Sequence, residues 1–192
     1  TQSASPAVPA RRKPKISDTP PPAPPAPKLA DYEPIIGKSQ LDELRFVSQP
    51  LQGKRVKMVN STAVGGGVAE MLNRLVPLLD ELGVKTGWEV ITGGNDFFEV
   101  TKGFHNALHG AAFTLTQQAR DVFMSHTEQN RQRMRFDEDF VVIHDPQPAG
   151  LIESKNLGPS KWVWRCHIDL SHPNEDVWKF LQPMVERYDA AV

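Results

Sequence analysis

The stretch Arg55–Leu82, RVKMVNSTAVGGGVAEMLNRLVPLLDEL, decides the fold. Its first six residues, Arg55–Asn60, read as a short strand. The run Asn60-Ser61-Thr62-Ala63-Val64-Gly65-Gly66-Gly67 then turns the chain into a helix. Val68, Leu72, Leu75, Leu79 and Leu82 recur at intervals of three and four, which puts them on one buried stripe of a helix over Val68–Leu82. Gly83 follows in the position where helices end. Pro77 removes one backbone donor inside this helix, and because the stripe continues past it a kink rather than a break is expected.

Working outward, the same alternation recurs. Ser39–Ser48 reads as a short helix with Ser39 as its N-cap. A strand is expected around Lys85–Ile91, closed by Thr92-Gly93-Gly94. Helices are expected over Asp96–Gly110 and Thr114–Arg135, then a strand at Asp139–Ile143 and a brief helix at Leu151–Lys155. Lys161–Ile168 reads as a further strand, with Cys166 facing the core, Asn174–Arg187 as a helix, and Asp189–Val192 as the opening of another strand. Strands alternating with helices imply βαβ units. The fold class is therefore α/β, a Rossmann-like open parallel sheet with helices on both faces. Ligands of such sheets bind outside the carboxyl ends of the strands. That rule selects Asn60–Gly67, Thr92–Asn95, His144–Gln147 and His167–Ser171 as four polar strand ends facing one crevice.

Composition marks off the beginning of the chain. Nine of the 17 prolines lie in residues 1–28, and residues 1–30 are expected to form a disordered Pro/Ala-rich tail ahead of one domain over residues 31–192. Hydrophobic residues make up 39% and charged residues 23%, ordinary values for a soluble globular domain. The net charge of −1 gives no bulk field toward nucleic acid or an anionic membrane, so neither is expected as a partner. No apolar run is long enough to span a bilayer. A single cysteine allows no intrachain disulfide and fits a cytoplasmic location. The chain opens on Thr1 and stops inside an expected strand, so a fragment of a longer protein is expected.

Three constellations carry the chemistry. Gly65, Gly66 and Gly67 let backbone approach a ligand, and the helix that follows offers unpaired N–H groups suited to a diphosphate or a sugar hydroxyl; the competing reading is a turn that needs glycine for its geometry alone. No Walker lysine follows, so this is no nucleoside-triphosphate loop. In His144-Asp145-Pro146-Gln147, Asp145 either accepts hydrogen bonds from sugar hydroxyls or caps the short helix beyond it. His167 either serves a ligand or is a hydrogen-bonded histidine at a sheet edge. His105 and His109 lie one helical turn apart, but no third ligand stands near them in sequence, so no metal is expected. Trp162, Trp164 and Trp178 read as core or interdomain contacts.

Four runs, VNSTAVGGGVAEML (59–72), FHNALHG (104–110), DFVVIHDPQPAGLIE (139–153) and WVWRCHIDLSHPN (162–174), resemble the amino-terminal domain of trehalose-forming retaining glycosyltransferases of the two-domain GT-B type. The resemblance extends from about Tyr32 to Val192 and includes trehalose phosphorylases. It implies that Gly65–Gly67 sit against the donor diphosphate and the transferred glucose, and that Asp145 and Gln147 hold the acceptor glucose. It places His167 beside the transferred sugar, as a catalytic residue with Asp145, and His105 and Asn106 on the acceptor side. The implied partners are glucose, a nucleotide-glucose such as UDP- or ADP-glucose, and a carboxy-terminal domain that supplies the nucleotide pocket. No cofactor or metal is implied. The leaving phosphate would take the acceptor proton, leaving the protein to position and to stabilise charge. The alternatives are a phosphorylase half using glucose 1-phosphate, and a non-catalytic sugar-binding or regulatory module.

Overall fold

Residues 28–192 are described by a computed structural model; the tail expected at 1–30 lies, as far as residue 27, outside the described residues. Alternation along β1 (Arg55–Asn60) sends Val56 and Met58 to one side of a sheet and Val59 to the other. The chain then enters α3 (Gly67–Glu81), preceded by α1 (Glu33–Ile36) and α2 (Lys38–Ser48), and returns along β2 (Lys85–Val90). Two further helices, α4 (Asn95–Leu108) and α5 (Gln117–Arg133), lead to β3 (Phe140–His144). A 3₁₀ helix at Ala149–Leu157, β4 (Lys161–Arg165), α6 (Glu175–Val185) and the two-residue β5 (Ala190–Ala191) complete the order. All four strand pairings are parallel, and the sheet reads β2-β1-β3-β4-β5.

The expected α/β class is what the chain adopts, with helices on both faces. One face packs Val59, Val141, Ile143, Trp162 and Trp164 against Phe97, Phe104, Phe123, Val177 and Leu181 of α4, α5 and α6. The other packs Val56 and Met58 against Leu72 and the half-buried stripe residues Val68, Leu75 and Leu79 of α3. Pro77 is carried within α3, which runs on to Glu81, and Gly83, at φ 82°, takes the left-handed position after it.

Several boundaries move for local reasons. Ser39 is not the N-cap of α2: Gly37, at φ 81°, separates α1 from α2 and takes that place without a side-chain cap. The helix expected from Thr114 begins at Gln117, because the Thr116 hydroxyl caps it by accepting from the Ala119 N–H. Asn174 caps α6, its carboxamide oxygen accepting from Asp176 and Val177, both at 3.2 Å. The expectation that Cys166 lies inside a strand is corrected, while its expected packing against the core holds in part. Pairing with β3 ends at Arg165, and Cys166 sits half-buried at the core margin, where burial holds its thiol above the usual range.

Candidate functional site

The sheet order places β2 and β4 on opposite sides of the β1–β3 pair, so the connections leaving β1 toward β2 and leaving β3 toward β4 diverge at their carboxyl ends. A crevice opens there, at the reversal point where open parallel sheets take their ligands. Its narrower part, about 160 Å³, lies among Asn60, Gly65–Gly67, Asp145 and Gln147. Its wider part, about 380 Å³, is bounded by Phe98, Thr101 and Lys102 of α4. Ser61, Thr62, His105 and Gln147 line both parts and join them.

The glycine loop is held from below. Asn60 is buried; its Oδ1 accepts from Trp88 Nε1 at 2.8 Å and its Nδ2 donates to the Thr62 carbonyl at 2.8 Å. Thr62 in turn donates its hydroxyl to the Val64 carbonyl at 2.6 Å. Gly65 and Gly66 then adopt φ 74° and 83°, and Gly66, with ψ 148°, lies in a region open essentially to glycine alone. A Cβ at any of the three glycines would meet no atom within 4 Å. Backbone conformation, not crowding, therefore asks for glycine at Gly65 and Gly66, and the loop leaves its N–H groups open at the start of α3.

Asp145 is the one non-glycine residue at positive φ, 66°, among the described residues. Three hydrogen bonds over-determine that conformation. Its N–H donates to the Arg165 carbonyl at 2.9 Å, and its carbonyl accepts from Trp164 Nε1 at 3.0 Å. Its Oδ1 accepts from the His167 N–H at 2.7 Å. The carboxylate thus ties the end of β3 to the end of β4 and does not cap the following 3₁₀ helix, whose N-cap is Pro148. A sparsely populated backbone held by its surroundings is the kind of strain found at binding sites. Beside it, Gln147 Oε1 is buried without a hydrogen-bond partner. Such an acceptor is costly to leave unmet, and it lies on the crevice wall.

The remaining expected site residues divide. His105 lines the crevice; Asn106, next to it on α4, is exposed and does not. His167 is exposed and reaches the site through Asp145 rather than by lining it. The His105 and His109 rings are 5.1 Å apart, and among the described residues no three His, Cys, Asp or Glu side chains gather to hold a metal. No described helix is long and apolar enough to cross a membrane.

Two buried polar residues near these strand ends have no role assigned to them in the sequence reading. His144 is buried under His167, and burial first, then the charges of His167 and Arg165, pushes its pKa down to about 4. Asn130, buried on α5, clamps the turn after β2: its Oδ1 accepts from the Thr92 N–H at 2.7 Å and its Nδ2 donates to the Thr92 carbonyl at 2.6 Å. Its Nδ2 also donates to the His126 carbonyl at 2.8 Å. Asn130→Ala strands both polar groups of Thr92, and should cost about 2–4 kcal/mol. Urea denaturation of the purified chain measures it; a midpoint equal to that of the parent would show that water replaces the clamp.

Asn60, the glycines, the carboxylate of Asp145 and the carboxamide of Gln147 make a wall of hydrogen-bonding groups suited to hydroxyls and anions. Residues 58–192 match the family described as Trehalose synthase, N-terminal domain. Trehalose synthase of Pyrococcus horikoshii is 45% identical over 164 residues, covering 84% of this chain and 39% of that protein. Trehalose synthase of Rubrobacter xylanophilus is 43% identical over 169 residues, 85% of this chain and 41% of its own length. Trehalose phosphorylase of Pleurotus pulmonarius is 34% identical over 184 residues, 84% of this chain and 25% of its own length. The chain therefore spans about two fifths of the trehalose synthases and a quarter of the phosphorylase. On the match over residues 58–192, the chain belongs to the family of trehalose synthase amino-terminal domains.

Proposed function

We propose that the chain is the acceptor-side half of a retaining glycosyltransferase that makes trehalose from a nucleotide-glucose and glucose. The observation that carries this reading is the crevice at the carboxyl end of β1 and β3. There the strained Asp145 and the unmet Gln147 Oε1 stand opposite the glycine loop. In this reading Asp145, Gln147 and His105 hold hydroxyls of the acceptor glucose. The N–H groups of Gly65–Gly67 lie against the transferred sugar and its phosphate, and His167 stands near the transferred sugar. Asn106, outside the crevice, contributes only through its neighbour His105. Binding both sugars in one orientation lowers the entropic part of the barrier, and N–H groups facing the leaving phosphate stabilise its growing charge. The donor nucleotide falls to residues of a carboxy-terminal domain, which the greater length of the relatives supports.

The test joins this chain to the carboxy-terminal part of the Rubrobacter xylanophilus trehalose synthase. The chain alone should give no trehalose from nucleotide-glucose and glucose at ordinary enzymatic rates, whereas the chimera should. Trehalose formed only from glucose 1-phosphate would favour the phosphorylase reading, which the 34% identity to trehalose phosphorylase supports. A folded chimera that binds the nucleotide donor and transfers from neither would leave only a sugar-binding module.

A further inference from the structure

Beneath the crevice wall, two buried side chains that the proposed reaction does not use, Met58 and His144, link three strand ends to His167. Met58 comes from β1, His144 from β3, and His167 from just beyond β4. His144 Nε2 lies 3.4 Å from Met58 Sδ, and His144 Nδ1 lies 3.0 Å from His167 Nε2. The planes of the two rings are within 17° of each other. Met58 and His144 are buried, while His167 is exposed.

A thioether carries no proton and can only accept. If His144 were protonated at Nδ1 it would direct the bare lone pair of a buried Nε2 at sulfur, and neither atom would have a donor. With the proton on Nε2, His144 donates to Met58 Sδ, and its Nδ1 is then an acceptor. A contact of 3.0 Å between ring nitrogens requires one donor, so His167 must supply its Nε2–H. Burial keeps His144 neutral at pH 7, its pKa having fallen to about 4, so it does not become a donor at both nitrogens.

We propose that His144 is a positioning residue that fixes the tautomer of His167, holding it protonated at Nε2 so that neutral His167 offers its Nδ1 as a hydrogen-bond acceptor. The direction of bonding runs from the exposed histidine inward: His167 Nε2–H to His144 Nδ1, then His144 Nε2–H to Met58 Sδ. Protonation of His167 would add a proton at Nδ1 and leave the inner bond intact. The backbone of His167 is fixed separately, by its N–H to Asp145 Oδ1. Main chain and ring are thus both held, from Asp145 and from His144, two consecutive residues at the end of β3. That an acceptor at His167 Nδ1 receives the hydroxyl proton of a sugar rests on the function proposed above; the tautomer itself does not.

The experiment is a long-range ¹H–¹⁵N correlation spectrum of the ¹⁵N-labelled full chain near neutral pH. His144→Gln and His167→Gln assign the signals. Both rings are expected to show a protonated Nε2 and a bare Nδ1. Met58→Leu keeps an apolar side chain of similar size and removes the acceptor. It should move the His144 nitrogens toward the opposite tautomer, and the His167 nitrogens with them. A bare Nε2 on either ring of the parent chain, or nitrogens of His167 averaged between the two tautomers, overturns the proposal. So does a Met58→Leu spectrum identical to that of the parent. The parent spectrum decides the direction of bonding even where the variant does not fold. A chimera that makes no trehalose while the spectrum is as expected would sink the proposed function and leave the relay standing.

Discussion

Asp145→Ala, measured in the chimera that supplies the carboxy-terminal domain, should lower kcat/KM for the acceptor glucose about 10²-fold or more while shifting donor affinity by less than about 3-fold. Two contributions lead there. A carboxylate hydrogen-bonded to a sugar hydroxyl is a charge-assisted contact, and losing one costs about 1.5–3 kcal/mol, or roughly 10–10²-fold in rate where the bond is felt in the transition state. The same carboxylate accepts the His167 N–H at 2.7 Å, so its removal also frees the chain after β4. The backbone complicates a simple reading, because Asp145 sits at φ 66° and alanine tolerates that region poorly. A second variant, Asp145→Asn, resolves the ambiguity: asparagine accepts positive φ and keeps an oxygen for the His167 N–H, but it loses the charge and brings a donor to face the hydroxyl. Asp145→Asn should therefore fold like the parent and still lose most of the acceptor-side rate. Parental acceptor kinetics in both variants would remove Asp145 from the site.

How much of the fold and site is legible in the sequence depends on the range of the interaction. The strand at Arg55–Asn60 and the helix ending before Gly83 can be read from spacing alone, because both are local patterns repeated over several residues. The parallel sheet follows from βαβ alternation, and with it the edge on which Asn60–Gly67 and Asp145 meet. What does not show is which partner each polar side chain chooses. Asp145 has a ready local partner in the helix beyond it, yet its carboxylate turns to a main-chain N–H 22 residues away. Asn130 sits in a helix rich in polar residues, where nothing in the pattern separates the one buried carboxamide from its solvated neighbours. His144 reads as the first residue of the polar run after an apolar strand, with no partner indicated for its ring. Its relation to His167 and Met58 exists only once β1, β3 and β4 are laid side by side, at separations of 23 and 86 residues. Asn106 shows the converse: the run containing it is informative, but the helix turns it away from the crevice that its neighbour His105 faces.

Phe104→Ala should destabilise the domain by about 3–5 kcal/mol, the usual cost of truncating a fully buried aromatic ring. Phe104 is completely buried on α4, with ring centroids of Phe113, Phe123 and Phe180 at 5.7, 5.5 and 5.8 Å. Those neighbours come from the α4–α5 connection, from α5 and from α6, so the ring is where the three helices on that face of the sheet meet. Its surroundings cannot close over the gap easily. Phe123 already packs against Phe97 and Phe180, and Phe113 lies so close to Gly103 that a Cβ there would come within 2.2 Å of it. Against a total stability of about 5–15 kcal/mol for a domain of this kind, the loss is a large fraction. The consequence reaches the site, because His105 is the next residue and Thr101 and Lys102 lie one turn before it on the crevice wall. Phe104→Leu, which keeps much of the apolar volume, should lose less, and urea midpoints of the two variants against the parent give the comparison. Equal midpoints for alanine and leucine would mean that the cluster relaxes around the deletion, and that packing across this face is not what holds α4 against the crevice.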